Sequence, residues 1–236
     1  MIAVILAAGQ GTRLRPLTEK VPKCMVTVSG KTILHRQIEA MKQAGISHVY
    51  VAAGYLGAVV EAFVEEHFSG FATVVMNREY QSTNNMYSLY LLRDYLTQGF
   101  LLANGDVLAE TSIFSDLCLH TEGSFIACQK GAWLEESMKV TVKDERITSI
   151  SKKTSEESAY GNSIDIYAFD AVGANALLGI VSNTIESGEL TQWTEVAIDA
   201  MMSRVQVLPL DIGPRRWVEV DNMDDLSEAS ILFAED

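Results

Sequence analysis

Cysteine is scarce in this chain. Three thiols, Cys24, Cys118 and Cys128, are scattered over 236 residues. An odd, dispersed set without Cys-x-x-Cys spacing excludes a disulfide framework and a cysteine-based metal site, and reads as reduced thiols. Basic residues are also few: 18 Lys and Arg face 31 Asp and Glu, for a formal net charge of −13. A nucleic-acid-binding surface needs a basic stripe, so no nucleic-acid partner is expected. No apolar run reaches the roughly 20 residues that span a bilayer, so no membrane partner is expected. The first residues form an apolar stretch without the charged segment and cleavage site of an export signal, and the expected location is cytoplasmic. The four histidines, His35, His48, His67 and His120, lack ligand spacing and read as structural or surface residues. No linker, repeat or low-complexity tract interrupts the sequence.

What is present is a hydrophobic chain, 48% apolar, long enough to bury the core of one α/β domain. Strand and helix patterns alternate through its first half. Strands are expected over 2–6, 48–53, 71–76 and 100–103, and helices over 32–44, 57–68 and 85–96. The second half is richer in strands, over 125–129, 139–142, 147–151 and 163–169. Helices over 171–187 and 193–203, strands over 205–210 and 217–220, and a helix over 223–233 close the pattern. Alternation of this kind predicts a mostly parallel sheet covered by helices on both faces, with ligands beyond the carboxyl ends of its strands. A single domain over 1–236 is expected, with a nucleotide-binding half at about 1–110 merging into an acceptor-binding half at about 111–236.

The first strand runs into Leu6-Ala7-Ala8-Gly9-Gln10-Gly11-Thr12-Arg13. Glycines let a turn take positive φ and bring backbone N–H groups against a ligand. Arg13 and Lys23 supply positive charge beside that turn, so strand, small-residue loop and cations together suit a triphosphate. No Gly-Lys-Ser/Thr follows, which excludes a P-loop, and the third glycine of a dinucleotide fingerprint is missing. In an acidic chain each cation near this loop is informative. The full run, Leu6-Ala7-Ala8-Gly9-x-Gly11-Thr12-Arg13-Leu14-x-Pro16-Leu17-Thr18 with Pro22-Lys23, resembles the signature of the nucleotidylyltransferases that activate sugar phosphates and phosphocholine.

That resemblance implies a three-layer α/β/α, Rossmann-like nucleotidyltransferase fold with a mixed, mostly parallel sheet. It implies a nucleotide site at Leu6, Ala7, Ala8, Gly9, Gly11, Thr12 and Arg13, catalytic Arg13 and Lys23, and Mg²⁺ on Asp106 and Asp221. Each aspartate follows an apolar strand, where a carboxylate meets the crevice on a fixed backbone. Asp221 is equally placed to cap the helix that follows it. Asn84 is the best cap of the helix at 85–96, and the Asn84-Asn85-Met86-Tyr87-Ser88-Leu89-Tyr90 wording resembles bacterial phosphocholine cytidylyltransferases. Asn85 carries the donor and acceptor needed to read cytosine, so CTP is the expected triphosphate.

For the acceptor, Lys139 and Lys153 are candidate phosphate ligands, and Lys152 reads as a solvated surface lysine. Trp133, Tyr160 and Trp193 can build an aromatic wall for a quaternary ammonium, with Glu195 a candidate counter-charge. The expected acceptor is a small phosphorylated or phosphonate molecule, with phosphocholine or an aminoalkyl phosphonate favoured. A departure is Ala132-Trp133 where the phosphocholine enzymes carry a Glu-Trp pair. Transfer from UTP, dTTP or GTP to a sugar 1-phosphate is the alternative. A non-catalytic nucleotide-binding regulator would have lost Arg13, Lys23 or an aspartate, and all are present. A homodimer is left open.

Overall fold

The structure is a computed structural model and describes residues 1–120 and 122–234. In chain order it forms β1 (Ile2–Ala7), a small hairpin of β2 (Thr27–Val28) and β3 (Lys31–Thr32), α1 (Ile33–Gln43), β4 (His48–Ala53), α2 (Gly57–Phe68) and β5 (Ala72–Met76). Next come α3 (Asn85–Tyr90), β6 (Phe100–Asn104), β7 (Val107–Ala109), α4 (Thr111–Leu119), β8 (Ser124–Lys130), β9 (Lys139–Lys143) and β10 (Arg146–Ser151). Last are β11 (Gly161–Phe169), α5 (Ala171–Glu186), α6 (Thr194–Met201), β12 (Val207–Asp211), β13 (Trp217–Glu219) and α7 (Met223–Leu232).

The main sheet runs β10-β9-β11-β6-β1-β4-β5, with β8 pairing β11 and β12. It is parallel across β6, β1, β4 and β5, and antiparallel around β11. Strand alternation splits the core in two. Ala3 and Ile5 of β1, Val49 and Val51 of β4, and Leu101 of β6 face Leu34 and Ile38 of α1, Val60 and Val64 of α2, and Ile113 and Leu117 of α4. Val4 of β1, Ala52 of β4, and Phe100 and Leu102 of β6 face Met86 of α3, Leu177 and Val181 of α5, and Ile198 of α6. Two successive faces of one strand, each buried under helices, are the signature of a three-layer fold. A third, smaller cluster lies to one side. It joins Leu14, Val28, Ile33, Leu108, Val218, Val220 and Ala229, and so pins the residues next to Arg13 and Asp221.

The mixed sheet and its flanking helices match the expected fold. The helix expected over 85–96 is shorter: α3 ends at Tyr90 and a 3₁₀ turn, Arg93–Tyr95, follows. Leu89, Leu92 and Leu96 nonetheless bury together. The sequence reading passed over α4, although Ile113, Phe114 and Leu117 recur at helical spacing, and over the short β7. Among the described residues no helix is long and apolar enough to cross a membrane.

Candidate active site

β1 and β6 are parallel neighbours with Leu6 opposite Asn104, so the loops leaving both emerge on one side. The Leu6 carbonyl accepts the Gly105 N–H at 2.9 Å. A Cβ at Gly105 would lie 2.8 Å from Ala7 Cβ and 2.9 Å from Leu6 O, so the crossing requires glycine. Gly11 has φ +60°, and a Cβ there would sit 2.8 Å from Lys23 Cβ. The Thr18 hydroxyl donates to Gly11 O at 2.7 Å and closes the turn. Lys23 is thereby packed against the glycine loop.

The Lys23 ammonium lies between two carboxylates, 2.7 Å from Asp106 Oδ2 and 2.5 Å from Asp221 Oδ1. Arg13 Nη1 is 3.0 Å from Asp221 Oδ2, with its side chain largely exposed at the loop's rim. Burial alone would lower the Lys23 pKa; Asp106 and Asp221 outweigh it and hold the ammonium above its usual value. Burial would likewise raise Asp221, but Lys23 and Arg13 keep it below the usual carboxylate range. Cys24, next to Lys23, is fully buried and its thiol is pushed up to about 12, which leaves it inert.

Sequence reasoning missed Glu219. β13 pairs antiparallel with β7, and the Val220 N–H donates to the Asp106 carbonyl at 2.9 Å. Period-two alternation along 217, 219 and 221 puts Glu219 and Asp221 on one face, and that pattern could have revealed it. One oxygen each from Asp106, Glu219 and Asp221 lies within 4.8 Å of the others. Asp106 Oδ1 is buried without a hydrogen-bond partner among the described residues. These are oxygen donors of the kind that hard divalent cations take. Burial, then the charges of Asp165, Asp106 and Asp221, push Glu219 up to about 9. The capping alternative for Asp221 is corrected: Asn222 is the N-cap of α7, in a capping box with Asp225, whose carboxylate also accepts the Asp221 N–H. The Asp221 side chain is therefore left for Lys23 and Arg13.

A cavity of about 200 Å³ opens beside the loop, lined by Leu6 to Gly9, Lys23, Asp106, Asn84 and Asn85. Gly11, Thr12 and Arg13, expected at the nucleotide, do not line it. Tyr80, Thr83 and Asn77 also line it, and sequence reasoning did not single them out. Asn77 is buried and donates to Thr83 Oγ1 and Ser88 Oγ, each at 3.1 Å, which fixes this wall. Asn84 caps α3 through the Asn85 N–H and donates to Thr191 O. Asn85 Oδ1 accepts the Thr194 N–H at 2.8 Å, so its amide ties α3 to the start of α6.

A second cavity, about 100 Å³, adjoins the first and shares Asn85 and Asn104 with it. Trp193, Glu195, Asp165, Glu219 and Lys152 line it. Glu195 is buried and Asp165 half-buried; the Tyr167 hydroxyl is 2.9 Å from Asp165 Oδ1 and 3.2 Å from Glu195 Oε1. Asn104 Nδ2 donates to Asp165 Oδ2 at 3.1 Å. Burial, then the Glu195 charge, raises Asp165 to about 7, and burial raises Glu195 as well.

The remaining acceptor candidates are not gathered here. Lys139 is buried and its ammonium is spent on the Leu134 and Glu135 carbonyls, at 3.3 and 2.8 Å, beneath the Trp133 ring. The expected exposure of its charge to a crevice is absent; burial and the Lys152 charge lower its pKa. Lys153 is exposed and lines neither cavity. Lys152, read from the sequence as a solvated lysine, lies 5.2 Å from the Trp193 ring centre at the cavity. Trp133 donates from Nε1 to Thr154 O, and Tyr160 lies under Lys130. A larger cavity of about 410 Å³ lies between α1 and α4, away from the glycine loop; its carboxylates Glu39 and Glu110 are already paired with Lys31 and Arg216.

The geometry is that of a pocket for a polyanion beside a carboxylate-held cation, with a second pocket adjoining. The chain is 28% identical to the choline-phosphate cytidylyltransferase of Streptococcus pneumoniae over 228 residues, covering 95% of each chain. It is 36% identical over 114 residues to the 2-aminoethylphosphonate cytidylyltransferase of Lancefieldella rimae, covering 48% of this chain and 46% of that one. The solved structure of a CTP:phosphocholine cytidylyltransferase from Streptococcus pneumoniae shares the fold, with a TM-score of 0.80, 23% identity and 98% of both chains covered. The family model described as nucleotidyl transferase matches residues 2–235, and with the loop, the cations and the sheet in place the chain belongs to that nucleotidyltransferase family.

Proposed function

We propose that this nucleotidyltransferase transfers CMP from CTP to a small zwitterionic acceptor whose anionic end is a phosphate or phosphonate, with release of pyrophosphate. The observation that carries the reading is the Lys23 ammonium clamped between Asp106 and Asp221 at the glycine loop. The reading is supported by the cytidylyltransferases among its relatives, which include acceptors of both anionic types.

An oxygen of the acceptor's anionic group attacks the α-phosphorus. A P–O bond forms there, the bond to the pyrophosphate oxygen breaks, and the electron pair leaves with pyrophosphate. The attacking oxygen is already ionised, so no general base is needed, and catalysis is positioning plus charge stabilisation. Leu6 to Gly9 offer small side chains and backbone N–H groups to the phosphates. Arg13, at the rim, faces the β- and γ-phosphates, and Lys23, in the wall, the α-phosphate. Asp106 and Asp221, with Glu219 beside them, fit Mg²⁺, which when bound neutralises triphosphate charge. Lys152, lining the second cavity, holds the acceptor's anionic end. Asn84, Asn85, Thr83 and Tyr80 surround the base.

The test is pyrophosphate release from CTP, UTP, dTTP and GTP in turn, with Mg²⁺ and a panel of acceptors. CTP with a zwitterionic phosphate or phosphonate should give the highest kcat/KM. Faster turnover of another triphosphate with a sugar 1-phosphate would refute the reading.

A further inference from the structure

We propose that the acceptor's cationic end is a primary ammonium that donates hydrogen bonds to the cavity carboxylates Asp165 and Glu195, and not a trimethylammonium held by aromatic faces. The inference rests on the zwitterionic-acceptor reading above and narrows it.

The rings are already engaged by the chain itself. Quaternary ammonium groups are recognised by open ring faces. Each ring that sequence reasoning offered already carries a lysine of this chain. Lys139 lies 5.0 Å from the Trp133 ring centre, Lys130 5.5 Å from that of Tyr160, and Lys152 5.2 Å from that of Trp193. Trp133 and Tyr160 moreover lie outside the cavity beside the glycine loop and the one adjoining it. Only Trp193 reaches the acceptor cavity, and there it orients Lys152.

The carboxylate route is open. Asp165 and Glu195 are held in place by Tyr167, and Asp165 also by Asn104. Both line the acceptor cavity, and an ionised carboxylate offers about four acceptor sites. An –NH₃⁺ group brings three donors to such a wall. A trimethylammonium brings none, and would desolvate the carboxylates without replacing their hydrogen bonds. Lys152 lies on the same cavity, so an anion at one end and an ammonium at the other can be held together.

The experiment compares ethanolamine phosphate, choline phosphate and the uncharged isostere 3,3-dimethylbutyl phosphate, with CTP and Mg²⁺, by pyrophosphate release. The first two differ only in N-methylation. A primary ammonium should be preferred in kcat/KM by at least ~10²-fold, since sites built to hydrogen-bond a substrate donor reject analogues that lack it by up to ~10⁴–10⁵-fold. Asp165→Asn and Glu195→Gln should each raise KM for ethanolamine phosphate at least ~10-fold and leave KM for CTP within about twofold, shrinking the preference over choline phosphate. Circular dichroism and thermal melts establish that both variants are folded. Equal or better use of choline phosphate overturns the inference while the zwitterionic reading survives. A best rate with the uncharged isostere, or no transfer from CTP to any acceptor, overturns both.

Discussion

Asp165 offers a test of the site that needs no substrate. Its side chain is half-buried, its backbone has φ +57°, and its pKa is raised from 3.8 to about 7 by desolvation and then by Glu195. The native state therefore binds this proton more tightly than the unfolded chain. Below the unfolded pKa both states are protonated and nothing is lost. Between that value and about 7, stability falls as pH rises, and above about 7 the full penalty is present. A shift of about three units corresponds to an upper figure of ~4 kcal/mol. Asp165→Asn carries no charge and tolerates the same left-handed backbone. It should gain ~1–4 kcal/mol over the wild type near pH 8, which for a chain of this size is several degrees in Tm. Near pH 4 the advantage should vanish or reverse, because the new amide faces the Asn104 amide. Urea or thermal unfolding of both proteins across this pH range measures the difference. A gap that does not widen with pH, or an Asn variant less stable than wild type near pH 8, would refute the account. With the acceptor-binding loss expected for the same variant, the result would make Asp165 a residue where stability is given up for function.

Arg13→Ala should lower kcat by ~10²-fold or more with the fold intact, the scale for losing one preorganised charge-stabilising donor; near wild-type turnover would remove Arg13 from the chemistry. Asp106→Asn and Asp221→Asn should each abolish turnover and weaken Mg²⁺ binding measured by titration calorimetry, with the double variant little worse than either single one, because groups acting as a unit are non-additive. Asn85→Ala should raise KM for the acceptor as well as for CTP, because its side chain ties α3 to α6 and touches both cavities; an effect confined to CTP, with discrimination against UTP reduced, would make it a reader of the base alone. Trp193→Ala should raise KM for every acceptor alike by releasing Lys152, and a loss restricted to cationic acceptors would contradict that role.

Much of this arrangement was legible in the residues. The glycine loop, Arg13, Lys23, Asp106 and Asp221 lie in local runs whose strand-then-turn pattern places them on one sheet edge. The acceptor side was harder, because it is assembled from β10, β11, α6 and β13, which no short motif links. Lys139 departs from its expected environment for this reason, whereas Lys152 is exposed as expected and also lines the acceptor cavity. Each sits in or beside a strand, and the cavity onto which a strand residue opens depends on pairing that sequence does not display. Glu219 was hidden by the conspicuous aspartate two positions later. Asp165 and Tyr167 carry no sequence signal of a site, because only the fold brings the Tyr167 hydroxyl of β11 to Glu195 of α6.

The β7–β13 ribbon has a consequence in time. Lys23 and Asp221 are 198 residues apart, and the ribbon sets Asp221 beside Asp106 by pairing Glu219 with Val107. Contacts of such separation form late, after the local β-α units have condensed. As the chain leaves the ribosome, the phosphate loop and Asp106 exist before the last carboxylate has been made. A nascent or truncated chain can thus present a finished-looking sheet while its cation site is still missing one wall. Activity then reports completion of the whole molecule, and a chain cut before the ribbon would fold in part, stay silent, and leave Lys23 held on one side only.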